Sequence, residues 1–138
     1  MSMTCGFNFI KELTKGNIKL DTDDIKVVLG ANIDPSEPLY SSLNEVTGSG
    51  YVSGGQFVSS SILINDESNN LIKWYINDIT WTNVDFGQTS VNSIVIYDAS
   101  YLNTVIAIAS CNITEEIVWP QDFNIIWPDS GHIMTLKE

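Results

Sequence analysis

The stretch VNSIVIYDASYLNTVIAIAS, residues 91–110, settles the class of fold. Two runs rich in valine, isoleucine and small residues, 91–97 and 104–110, flank the polar segment DASYLN. β-branched residues favour a pleated surface, and two such runs joined by turn-forming residues predict a hairpin. Within the first run Ile94, Val95 and Ile96 follow one another without polar alternation. A strand of that kind is expected to be covered on both faces. Upstream, LIKWYI (71–76) places Ile72, Trp74 and Ile76 on one face. It pairs across the polar turn NDESNN with the run 57–64, as a second hairpin. ITWTNV (79–84) and IKVVL (25–29, stopped by Gly30) are further strands. Downstream, 113–118 is a candidate broken by Glu115 and Glu116, and 123–127 and 133–136 form a final pair around PDSG. About eight short strands spaced by roughly 8–12 residues make a sandwich or barrel. The expected fold is mainly β, an antiparallel, jelly-roll-like β-sandwich. Helical periodicity does not interrupt the strand series, which disfavours a doubly wound α/β sheet.

One helix is expected, near the start. Phe7, Ile10 and Leu13 recur at a spacing of three, and Phe9 and Leu13 at four. Thr4 is placed to cap its beginning, Lys15 and Gly16 to close it. So short a helix must dock on the sandwich. After it, Ile18 and Leu20 alternate with Lys19, and Asp21, Asp23 and Asp24 form a turn. NIDPSEP (32–38) is a loop, and Leu39, Leu43 and Val46 suggest a further helical turn. The whole reads as one domain, 1–138, with the helical segment 1–16 packed on it or extending from it.

Composition narrows the function. The chain carries 43% hydrophobic and 17% charged residues, enough apolar surface for a folded core. Its net charge is −11, with six lysines and no arginine. Such a chain is repelled by nucleic acid and anionic lipid, and lacks the side chain best suited to phosphate. Neither a signal peptide nor a membrane span is recognisable, so synthesis and folding in a cytoplasm are expected, with the sequon at Asn112 unused. Cys5 and Cys111 have no metal spacing, and His132 does not complete a zinc site. They read as buried thiols, their pairing left open.

The motifs that suggest chemistry each fail on inspection. GSGYVSGGQF (48–57) separates Gly50 and Gly55 as a phosphate-binding loop would, but Gln56 and Phe57 stand where lysine and a hydroxyl are needed. A strand rather than a helix follows, which excludes a dinucleotide fingerprint. Gly48, Gly50, Gly54 and Gly55 therefore build a wide turn with positive φ, over which Tyr51 packs. From Asp21, an EF-hand would require glycine and glutamate where Lys26 and Asn32 stand. His132 has only its turn neighbours Asp129 and Ser130 as triad partners, an arrangement that rarely works. Trp74, Trp81 and Trp127 read as core. Trp119, followed by Pro120, is the best exposed tryptophan and the candidate partner contact. No catalytic residue, cofactor or metal is expected.

The order of segments is familiar. A helix precedes GNIKLDTDDIKVVL (16–29), followed by EVTGSGYVSGGQ (45–56), NDITWTN (77–83), SIVIYDAS (93–100), TVIAIAS (104–110) and FNIIWPDSGHIMTL (123–136). This series resembles a family of small virion structural proteins of tailed bacteriophages. It departs from the family at the compact DASYLN turn and at NITEEIVWPQDF (112–123), where Trp119-Pro120 replaces small polar residues. The resemblance implies a β-sandwich that is part of a particle, of the capsid cement or decoration type. It further implies a homotrimer bridging major capsid subunits on the outer virion surface, with the acidic face away from packaged DNA. Membrane and direct nucleic-acid contacts are not expected. The alternative is a tail or tail-fibre-associated module that binds glycan through exposed aromatics.

Overall fold

A computed structural model of the chain describes residues 2–41, 44–110 and 118–137. It is mainly β, with antiparallel sheets and one short N-terminal helix. The elements are β1 (Ser2–Cys5), α1 (Phe7–Thr14), β2 (Ile25–Gly30), β3 (Gln56–Phe57), β4 (Ser61–Asp66), β5 (Leu71–Ile76), β6 (Ile79–Val84), β7 (Ser93–Asp98), β8 (Thr104–Ser110), β9 (Gln121–Ile125) and β10 (His132–Lys137). They form a five-stranded sheet in the order β1-β8-β7-β2-β3, a three-stranded sheet β10-β5-β4 and the pair β6-β9.

The hairpin read from residues 91–110 is the centre of the large sheet. Every residue of β7 is buried. Its alternate side chains serve two cores. Ile94 and Ile96 join Val27, Leu29, Trp74, Trp81 and Ile125 in the main core between the large sheet and the two smaller ones. Val95 and Tyr97 join Val28, Val105 and Ile108 beneath the loop bearing Ile33 and Tyr40. A register shift between Ile96 and Tyr97 leaves Ile106 unmatched in β8, so Ile106 and Ala107 both contribute to the main core. The β4–β5 hairpin also forms as expected, with Trp74 and Ile76 buried and Ile72 at the more open end.

The helix forms, but its start differs from expectation. Residues 2–5 are a strand, added antiparallel to β8, so Thr4 is extended and Gly6 occupies the cap position without a side-chain bond. Gly6 lies so close to β8 that a Cβ there would sit 2.1 Å from the Val105 carbonyl oxygen. The end matches: Gly16 takes φ +76° after Lys15. Phe9 is fully buried and Ile10 is 54% exposed, so the helix docks through Phe9 and Leu13 and turns Ile10 outward.

Other expectations are corrected. The segment expected to be helical from Leu39 to Val46 forms no helix where described: it makes isolated bridges, with Asn44 in a turn at φ +66°. Leu39 bridges Thr104, Glu45 bridges Gly30, and the Val46 N–H donates to the Leu29 carbonyl. The run 57–64 is split between β3 and β4, which belong to different sheets. The final two strands do not pair with each other: β9 pairs with β6 and β10 with β5. Cys5 is an exposed free thiol rather than a buried one. Cys111, and the candidate strand 113–118 apart from the exposed Val118, lie outside the described residues.

Candidate functional site

The glycine loop is held from within. Gly50, Gly54 and Gly55 take φ values of +81°, +92° and +79°, a region where a side chain would strain the backbone. Gly48, expected to share that conformation, does not take positive φ; it is a glycine for a different reason, since a Cβ there would lie 2.3 Å from the Asp85 carbonyl oxygen. At the centre of the loop is Glu45, which the sequence does not mark as special. Its carboxylate accepts hydrogen bonds from the hydroxyls of Tyr40, Tyr51 (2.8 Å) and Ser53 (3.2 Å), and from the Gly54 N–H (2.7 Å). Tyr51 also accepts from the Leu29 N–H, at 3.1 Å. The Tyr97 hydroxyl donates to the Gly54 carbonyl at 2.7 Å, and its ring stacks on Tyr40 with centroids 4.4 Å apart. Burial, with Glu45 adding its charge, holds these phenols protonated: Tyr40 and Tyr51 are pushed well up and Tyr97 up to about 12. The N–H groups of Gly54 and Gly55 are in use within the protein, the first by Glu45 and the second by the Val52 carbonyl. The ammonium of Lys26, beside Gly54, sits over the Phe57 ring at 4.5 Å. The arrangement fixes the loop from within.

Through Phe86 the loop reaches the predicted contact residue. Phe86 packs edge-on against Tyr51 (5.6 Å between centroids) and against Trp119 (5.1 Å), and Trp119 also stacks on Phe123 at 6.5 Å. Trp119 is half-buried and Pro120 exposed, while Trp74, Trp81 and Trp127 are buried. The indole N–H groups of Trp74 and Trp127 donate to Ser61 Oγ and the Asn77 carbonyl, which satisfies them inside the core. His132 is half-buried at the start of β10 with Nε2 2.9 Å from Thr135 Oγ1, and makes no triad with Asp129 and Ser130.

The acidic turn does have a buried counterpart, Asp98, at the end of β7. Asp98 is fully buried; Oδ1 accepts the N–H groups of Ser100 (2.9 Å) and Tyr101 (3.1 Å), closing the hairpin turn. Its Oδ2 has no hydrogen-bond partner among the described residues, and the carboxyl of Asp23 is a neighbour of the group. Desolvation first, and that neighbouring carboxyl second, push Asp98 up to about 7. Asp23 is in turn fixed by the Lys19 N–H at 2.9 Å. No group of three or more histidine, cysteine or acidic side chains suited to a metal occurs among the described residues.

Two apolar surfaces are open. One is a groove of about 290 Å³ lined by Met3, Phe9, Ile10, Ile133, Met134 and Leu136, between the N-terminal elements and β10. The other is strand β4, where Ile62, Leu63 and Ile64 are 47%, 37% and 46% exposed. No known family, curated protein or solved structure matches the chain.

Proposed function

We propose that the chain acts through protein–protein contact and not through catalysis, as a virion structural protein of the capsid decoration type that bridges major capsid subunits from outside. The observation that carries this reading is the pair of separate apolar surfaces, the groove beside Ile10 and the strand Ile62–Leu63–Ile64. Exposed apolar surface of this kind marks contact with other macromolecules, and a bridging protein needs more than one such surface. The segment order that resembles small phage virion proteins supports the particle setting, and the charge of −11 suits a face turned away from DNA. The tail-associated, glycan-binding alternative draws less support, because Phe86 and Phe123 already occupy the ring of Trp119.

The test is the copy number of the chain in purified particles, by quantitative mass spectrometry against the major capsid protein. A near-equimolar ratio is the expected result. A small fraction of that ratio would move the protein to the tail or a vertex, and absence from particles would overturn the reading.

A further inference from the structure

Among the described residues, strand β4 stands at the edge of its sheet, bonded on one side to β5. Natural proteins blunt such edges with proline, lysine, a bulge or a covering segment. β4, with the sequence SILIND, has neither proline nor lysine, and its register with β5 runs without a break from Ser61↔Ile76 to Asp66↔Leu71. Its three large aliphatic side chains are each more than a third exposed.

The phase of the hydrogen bonds shows what the edge offers. One step before β4, the Asn77 N–H donates to the Ser60 carbonyl, so Ser60 and Asn77 form a hydrogen-bonded pair. Such pairs alternate along an antiparallel ladder. Ile62, Ile64 and Asp66 therefore direct their backbone groups toward β5, while Ser61, Leu63 and Asn65 direct theirs outward.

We infer that this edge pairs with the same edge of a second copy, antiparallel and centred on Leu63. In that register Leu63 faces Leu63 of the second copy and Ser61 faces Asn65, each in a doubly hydrogen-bonded pair. Ile62 then faces Ile64 between those bonds, where side chains approach most closely. Asp66 falls opposite Ser60, so the two carboxylates lie at opposite ends; a parallel alignment would bring them together. The pattern is complementary to itself, which is the requirement of a two-fold contact, and such a contact closes as a dimer. This inference assigns to self-pairing a strand that the proposed function counts among its two contact surfaces; oligomeric state in solution tests the pairing, and copy number in particles tests the capsid reading.

The experiment is sedimentation equilibrium of the purified full chain over a range of concentrations and salt, with two variants. Ile64→Lys places a charge on the exposed face of the edge. Asn65→Pro removes an outward N–H without removing a bond to β5. Both should keep the wild-type circular dichroism spectrum. Wild type is expected to dimerise, and each variant to weaken the dimer by about tenfold or more. A wild type that stays monomeric throughout overturns the inference, as does a dimer that neither variant weakens. A monomeric wild type that instead binds an extended Thr-Val repeat peptide would assign the edge to a foreign strand, again overturning self-pairing.

Discussion

At Asp98 a carboxyl group sits where water cannot reach it and where its neighbour is another carboxyl group. Its flanking partners in the sheet, Ile25 on β2 and Thr104 on β8, carry no charge, and Lys19 reaches Asp23 through its backbone N–H. A proton on Asp98 spares the buried group both the cost of its own charge and repulsion by the neighbouring carboxyl. Folding raises this group from an ordinary 3.8 to about 7, so its contribution to stability is complete below pH 3.8 and is lost as pH rises through 7. Thermal unfolding should accordingly occur at a lower temperature at pH 8 than at pH 5.5. Asp98→Asn should flatten that difference, because an amide cannot ionise and its oxygen still accepts the two turn N–H groups. Among glycines, the contrast between Gly55 and Gly16 is equally specific. Both have positive φ, but a Cβ at Gly55 would lie 2.0 Å from the Val27 carbonyl oxygen while Gly16 has open space around it. Gly16→Ala should cost only the left-handed strain, about 1–2 kcal/mol. Gly55→Ala adds displacement of β2 to that strain and should cost clearly more, as chemical denaturation would show.

The elements differ in how openly the sequence announces them. β7 and β8 are legible because β-branched runs of the right length flank a polar turn, and the absence of alternation in Ile94-Val95-Ile96 signals coverage on two faces. β1 is not, since SMTC has no periodic pattern and becomes a strand only because β8 offers an edge. For the same reason Thr4 looks like a cap. The pairing of β9 and β10 is misread because a turn between two strands says nothing about which neighbours they choose once other edges are available. The glycine loop is legible in its conformation at Gly50, Gly54 and Gly55, but not at Gly48, where close approach to Asp85 and not φ excludes a side chain. Its anchor Glu45 is hidden, because Tyr40, Tyr51 and Ser53 converge on it only after folding. Trp119 shows both sides: it is the least buried tryptophan, as expected, yet it is wedged against Phe86 and Phe123. Trp119→Ala should therefore destabilise the fold by about 1–3 kcal/mol through lost aromatic contacts, in addition to any effect on partner binding. A melt of the isolated variant measures the first effect separately. In α1, Phe9→Ala removes a fully buried ring and should cost about 3–5 kcal/mol.

For the whole molecule, charge sets the terms of association. Two copies, each at −11, repel one another, and salt screens that repulsion. Dimerisation through β4 should strengthen as ionic strength rises, the opposite of an association held by ion pairs; sedimentation in low and high salt checks the sign. The same feature that shapes the large sheet also constrains how the protein is made. Ser2 lies opposite Ser110, and Gly30 opposite Ser93, so the sheet joins residues translated early to residues translated much later. A ribosome adds about 5–20 residues per second. For several seconds, then, Val27, Val28 and Leu29 emerge as an apolar strand whose mate has not yet been synthesised. During that interval β2 is open to pairing with the wrong strand.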